Sequence, residues 1–181
     1  YQFEVQKDQN KASEDGEMGG YEASDFLWGK VADVAPTTSV IRLPLSHRMS
    51  NARVTLVKGS GFVDGEWENT EKIVLTANVA RKASIDLSTG EIKTAGSVES
   101  TMTIPSRVND EWRTIVVPQT VPAGTTLFSI TIGGVPYKFT KNEALTYVAG
   151  KMMNFSIKVD KNTATGAYKL TLISESITPW E

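Results

Sequence analysis

The stretch Phe128-Ser129-Ile130-Thr131-Ile132-Gly133-Gly134-Val135-Pro136-Tyr137-Lys138-Phe139 decides the fold class. Two alternating apolar runs flank a Gly-Gly pair, the mark of a β-hairpin closed by a two-residue turn. Such a turn sets Ile132 opposite Val135, Ile130 opposite Tyr137 and Phe128 opposite Phe139. Successive strand side chains point to opposite faces, so these apolar residues share one face. Ser129, Thr131, Pro136 and Lys138 take the other.

The same pattern extends outward in both directions. Phe155-Ile157-Val159 and Tyr168-Leu170-Leu172 read as a second hairpin over residues 160–167. Ala83, Ile85 and Leu87 run into the turn Ser88-Thr89-Gly90, with Ile92 on the return strand. Ile73, Leu75 and Val79 form a further face, Met102 and Ile104 precede Pro105, and Trp112 opens a dense apolar run ended by Pro118. Ile41, Leu43, Leu45, His47 and Met49 share one strand parity, whereas Val54 and Leu56 take the other. A bulge or a single helical turn is therefore expected at residues 49–52. Only residues 142–149, with Leu145 and Val148 spaced i, i+3 before Gly150, suggest a helix of about two turns.

About ten to twelve short strands with turns every ~8–12 residues predict an all-β sandwich or barrel. The 181 residues suit one large sandwich or two small domains. No linker divides residues 25–181, which are read as one sandwich domain. Residues 1–24 are read as an N-terminal strand followed by a polar loop or mobile arm at residues 7–24. Residues 1–6 already alternate, so the chain is expected to begin inside a longer precursor. Its end directly after Trp180 suits a module cut from something larger.

Composition narrows the chemistry. A net charge of −2 provides no electrostatic footprint for nucleic acid. The absence of cysteine excludes disulfides and thiolate metal sites. No run approaches the ~18 apolar residues of a membrane-spanning helix. His47 is the sole histidine, too few for a histidine-based metal site. Ser46 points to the opposite face and cannot be its nucleophile. His47 is expected to hydrogen-bond to backbone or to a carboxylate. The acids Glu14, Asp15 and Glu17, and Asp64, Glu66 and Glu68, lack calcium-loop spacing and read as solvated runs. No catalytic residue, metal or cofactor is expected, and the chain reads as a building part or binder rather than an enzyme. Trp112 and Trp180 sit in apolar contexts and read as core. Trp67 lies in a polar, loop-like stretch and is the candidate for stacking on a sugar ligand.

Several motifs occur in a telling order. Ser24-Asp25-Phe26-Leu27-Trp28 comes first, then Leu45-Ser46-His47-Arg48-Met49-Ser50 leading into Val54-Thr55-Leu56. Ile85-Asp86-Leu87-Ser88-Thr89-Gly90 and Ile115-Val116-Val117-Pro118-Gln119 follow. Gly150-Lys151 precedes Phe155-Ser156-Ile157-Lys158-Val159, and Ile177-Thr178-Pro179-Trp180 closes the series. In this order the chain resembles the fimbrillin-like superfamily of type V pilins and their anchor or tip relatives, over residues 24–180. The resemblance implies a transthyretin-like Greek-key β-sandwich, exported as a surface lipoprotein through the outer membrane. It implies partners that are other fimbrial subunits, joined by β-strand addition after a protease removes an N-terminal strand. It transfers no catalytic residue. The chain departs from the family in lacking a lipobox cysteine and in reading as one full domain. Shaft subunit, tip adhesin and module of a longer surface protein all remain open. A carbohydrate-binding module using Trp67, with host or microbial glycans as partners, is the alternative. A glycoside hydrolase would need a carboxylate pair that no motif nominates.

Overall fold

The computed structural model of the chain describes residues 1–36, 38, 40–67, 73–96, 98, 100–103 and 110–180. Ile104, Pro105 and Glu68 lie outside these. The described residues are almost entirely strand, turn and coil, and their one helical element is the 3-10 turn Glu22–Ser24.

Two four-stranded sheets carry the fold. The first has the order β12 (Val135–Thr140), β11 (Thr126–Ile132), β5 (Val74–Val79) and β8 (Ser100–Thr103). The second has the order β15 (Tyr168–Pro179), β14 (Lys151–Lys161), β4 (Ser50–Lys58) and β9 (Glu111–Val116). Smaller pairings surround them. β1 (Gln2–Glu4) and β7 (Glu91–Ala95) flank β6 (Lys82–Asp86), β2 (Leu27–Trp28) pairs with β3 (Ser46–His47), and β10 (Gln119–Val121) with β13 (Leu145–Tyr147). The result is an all-β, sandwich-like fold.

The hairpin forms as its residues dictate. Ile132 pairs with Val135, Ile130 with Tyr137 and Phe128 with Phe139. Gly133 and Gly134 both take positive φ, 58° and 82°, which residues with a Cβ adopt only at a cost. Phe128, Ile130, Ile132 and Phe139 are buried, whereas Val135, beside the turn, is exposed. The opposing sheet supplies the other half of the core through β14, where Met153, Phe155, Ile157 and Val159 are buried at alternate positions. The rings of Phe128 and Phe155 meet edge to face at 5.2 Å, joining the two sheets.

One pairing runs against the local pattern. β14 lies antiparallel to β15 but parallel to β4. Parallel neighbours cannot be joined by a tight turn, so a long excursion, residues 59–150, separates β4 from β14 and supplies β9 to the same sheet on its way. Within this excursion the first sheet is built.

Three expectations require correction. Residues 49–52 hold no bulge, because β4 pairs with β9 and β14 in unbroken register from its first residues. The parity change arises instead because Arg48 and Met49 break the chain between β3 and β4. Ile41, Leu43 and Leu45 lie in no strand, and all three are exposed. Residues 142–149 form no helix. β13 places Leu145 and Tyr147 in the core, two residues apart, and leaves Val148 outside. Burial at i, i+2 outweighed the weak i, i+3 spacing.

The polar arm is tied down at both ends. Gln9 is 1% exposed, and its amide donates to Ile115 O at 2.8 Å and accepts from Ile115 N at 2.7 Å. A side chain thus completes the outer edge of β9. The Gln9 N–H donates to Thr103 O and the Thr103 N–H to Lys7 O, which ties the arm to β8 as well. At Gly20 a Cβ would meet Asp8 O at 2.0 Å, so glycine is required where the arm crosses itself.

Three substitutions test this architecture in urea denaturation. Phe128→Ala should cost about 3–5 kcal/mol, and Val135→Ala about 0.5 kcal/mol or less. Gln9→Ala should cost about 1–3 kcal/mol by leaving the Ile115 backbone groups unpaired.

Candidate functional site

Trp67, the residue expected to stack on a ligand, is 4% exposed. Its indole packs edge-on to Phe62 at 5.2 Å, and Nε1 donates to Asp110 Oδ2 at 3.3 Å. The ring therefore faces the core rather than solvent. The turn before it is held by polar bonds: the Val63 N–H donates to Glu66 Oε2 at 3.1 Å, and Lys161 donates to Glu66 Oε1. Polar flanking residues made this stretch look exposed. The indole, the largest apolar surface among them, went inside.

His47 meets its expectation of a carboxylate partner. Nδ1 lies 2.9 Å from Asp25 Oδ2. Its ring stacks on Trp180 at 3.9 Å with planes 8° apart. The Trp180 N–H donates to Gly150 O, and the Gly150 N–H to Met49 O. This cluster fastens β3 and the end of β15 to the turn before β14. Ser46 Oγ is engaged elsewhere, donating to Trp28 O at 3.2 Å. Among the described residues no group of three or more His, Cys, Asp or Glu is arranged to hold a metal. No helix among them is long and apolar enough to cross a membrane.

The most distinctive surface is the open edge between the sheets, where β12 and β15 are the outermost strands of their sheets. The register across β14 shows which β15 side chains point inward. Leu170 opposes Val159, Leu172 opposes Ile157, Glu175 opposes Phe155 and Ile177 opposes Met153. The inward count skips one residue at the bulge between Ser156 and Ile157. Leu170 and Leu172 are partly covered by the core, yet Ile177 is 56% exposed. An inward-facing isoleucine left open means that the sandwich does not close there.

Two adjoining hollows follow this edge. One, of about 500 Å³, lies between Phe139 and Lys138 of β12 and Leu170 and Leu172 of β15. The other, of about 470 Å³, is floored by Leu145, Met153 and Ile177. Both include Lys141 and Glu143. Lys141 and the inward-facing Glu175 form an ion pair that spans the groove. Inward charge of this kind is a common guard on an otherwise adhesive strand edge. Sequence reasoning found the strands on both sides but not the gap, because alternation marks a face and not whether another sheet covers it.

A family model of fimbrillin-like proteins matches residues 2–180. The chain belongs to the fimbrillin-like family. No curated protein matches it. Among solved structures it is similar to three provisionally described as cell adhesion proteins. The one from Bacteroides uniformis has a TM-score of 0.56 and 14% identity, covering 78% of this chain and 54% of that one. The one from Bacteroides ovatus has 0.56 and 16%, covering 78% and 48%. The one from Bacteroides fragilis has 0.50 and 15%, covering 75% and 48%. The chain thus spans about half the length of these structures, and at such identities the likeness concerns the fold.

The Trp67 environment yields two expectations. Trp67→Ala should lower stability by about 3–5 kcal/mol in a denaturant titration, as for a core aromatic. The Lys161 hydrogen bond holds the Glu66 carboxyl below its ordinary value, and Glu66 holds the Lys161 ammonium above its own. A lowered carboxyl stabilises the fold above its unfolded value and loses that contribution as pH falls. A raised ammonium stabilises it below its unfolded value and loses that contribution as pH rises. The urea midpoint of the parent should therefore exceed that of Glu66→Gln near neutrality. The two should converge as the pH falls below the ordinary glutamate range, where the carboxyl takes up its proton in the fold as well.

Proposed function

We propose that this chain is a subunit of cell-surface fimbriae, contributing to adhesion and joined to its neighbours by β-strand addition at the edge between β12 and β15. The observation that carries this reading is Ile177: an inward-facing apolar side chain on an outermost strand, left 56% exposed where Leu170 and Leu172 of the same face are partly covered. An added strand would supply what the edge lacks. Its backbone would pair with the outer N–H and C=O groups of β15, and its alternate side chains would fill the two hollows. Membership of the fimbrillin-like family and the fold shared with proteins provisionally assigned to cell adhesion support the same reading. In this proposal the protein is exported through the outer membrane, acts at the surface without catalysis, and uses residues 1–24 as a strand and arm completing one sandwich.

No observation favours the carbohydrate-binding alternative, since Trp67, its best feature, is buried.

Sedimentation velocity of the purified chain, before and after limited N-terminal proteolysis, tests the proposal. Self-association should rise with concentration in at least one of the two forms. Ile177→Lys should weaken it at least tenfold while leaving stability within about 0.5 kcal/mol, as expected for an exposed position. A chain that stays monomeric in both forms would overturn the reading.

A further inference from the structure

One segment of the chain has the opposite defect to the groove. Between β2 and β3, residues 29–45 form no strand or helix at the described positions. Their last six residues are Val40-Ile41-Arg42-Leu43-Pro44-Leu45. Val40 is 90% exposed, and Ile41, Leu43 and Leu45 are each more than half exposed. This is an apolar run of strand-forming residues held in water by its own chain.

We infer that residues 40–45 of one copy are the strand that fills the groove between β12 and β15 of a second copy. The inference rests on the strand-addition reading and names the segment that is added. Three observations support it.

The first is pattern. When extended, Ile41, Leu43 and Leu45 fall on one face, which suits the apolar floor formed by Leu145, Met153 and Ile177. The second is length. Six extended residues span about 20 Å, and the β15 stretch 169–177, seven of whose residues line the two hollows, spans about 30 Å. The segment therefore fits along the edge. Pro44 is tolerated where its missing N–H would face away from β15.

The third is charge. Arg42 lies on the opposite face of the segment from Ile41 and Leu43, so it would stand at the groove mouth. Glu143 lines both hollows and is exposed, so it marks that mouth. Among the described residues neither Arg42 nor Glu143 has an ion-pair partner of its own. Of the other charges of the edge, Lys141 pairs with Glu175, and Lys138 and Lys169 line the first hollow only, which directs Arg42 to Glu143 beside the second. Donor and acceptor are different surfaces of one chain, so a copy that has received a segment still offers its own. Such heterologous contacts build open-ended chains.

The test uses the full 181-residue chain in sedimentation velocity over a concentration series, with the form found to associate. Leu43→Asp lies on an exposed position and should leave the thermal midpoint unchanged while weakening association at least tenfold. Arg42→Glu and Glu143→Arg should each weaken association several-fold, and the double reversal Arg42→Glu with Glu143→Arg should restore most of it. A cysteine-based readout is clean because the native chain has none. Leu43→Cys mixed with Ile177→Cys should give a disulfide between chains that neither variant forms alone. If Ile177→Lys abolishes association but Leu43→Asp and the reversals leave it intact, another segment fills the groove. This inference then falls and the strand-addition reading stands. If Ile177→Lys is also without effect, both fall.

Discussion

β14 is the strand on which the rest of the molecule depends. It is hydrogen-bonded on both sides, to β15 by a hairpin and to β4 by a parallel ladder. Its alternate residues Met153, Phe155, Ile157 and Val159 form one wall of the core. The hairpin half is local and inexpensive to close. The parallel half requires β4 and β14 to meet after residues 59–150 have been placed, so the fold is dominated by non-local contacts. Loop-closure entropy must be met before those contacts contribute, and slow, cooperative folding is the physical consequence.

The open edge is the other side of that arrangement. With β4 and β14 central, β15 is pushed to the margin of its sheet, and its inward residues depend on whatever lies across from them. Tyr137 of β12 meets Tyr168 edge-on at 5.5 Å, covering one end of β15. At the other end Ile177 has nothing comparable. The Lys141–Glu175 pair occupies the middle, where it blunts the edge without sealing it. Glu175 stays in water while Lys141 is largely buried, so the pair guards the edge from its inner side. In the proposed assembly this margin resists indiscriminate pairing and accepts a partner that offers both backbone groups and apolar side chains.

Much of the fold was legible because the relevant interactions are local. The Gly133-Gly134 turn and its flanking alternation specify the β11–β12 register residue by residue, and the β14–β15 hairpin follows from the same logic. The ordered motifs carried the family, which the match over residues 2–180 bears out. Where reading failed, a long-range contact had overridden a local pattern. Leu145 and Val148 are spaced for a helix, but pairing with β10 made residues 145–147 a strand. Trp67 sits among polar residues, but Phe62 and Asp110 draw it inward. Gln9 looks like one more polar residue of a loop, and only the position of Ile115, far along the chain, turns its amide into a sheet partner. His47 is read from sequence as bonded to backbone or to a carboxylate; the structure selects Asp25, and nothing in its neighbourhood of sequence points to Trp180.

Residue order alone established an all-β chain, its main hairpins and the side chains each hairpin turns inward, because alternation and turn chemistry act over a few residues. Tertiary structure alone decided that β4 and β14 run side by side, that the arm is stitched to β8 and β9, and that one margin of the sandwich stays open. Those features depend on which faces meet and which are left over, a property of the assembled layers that no short window of residues encodes.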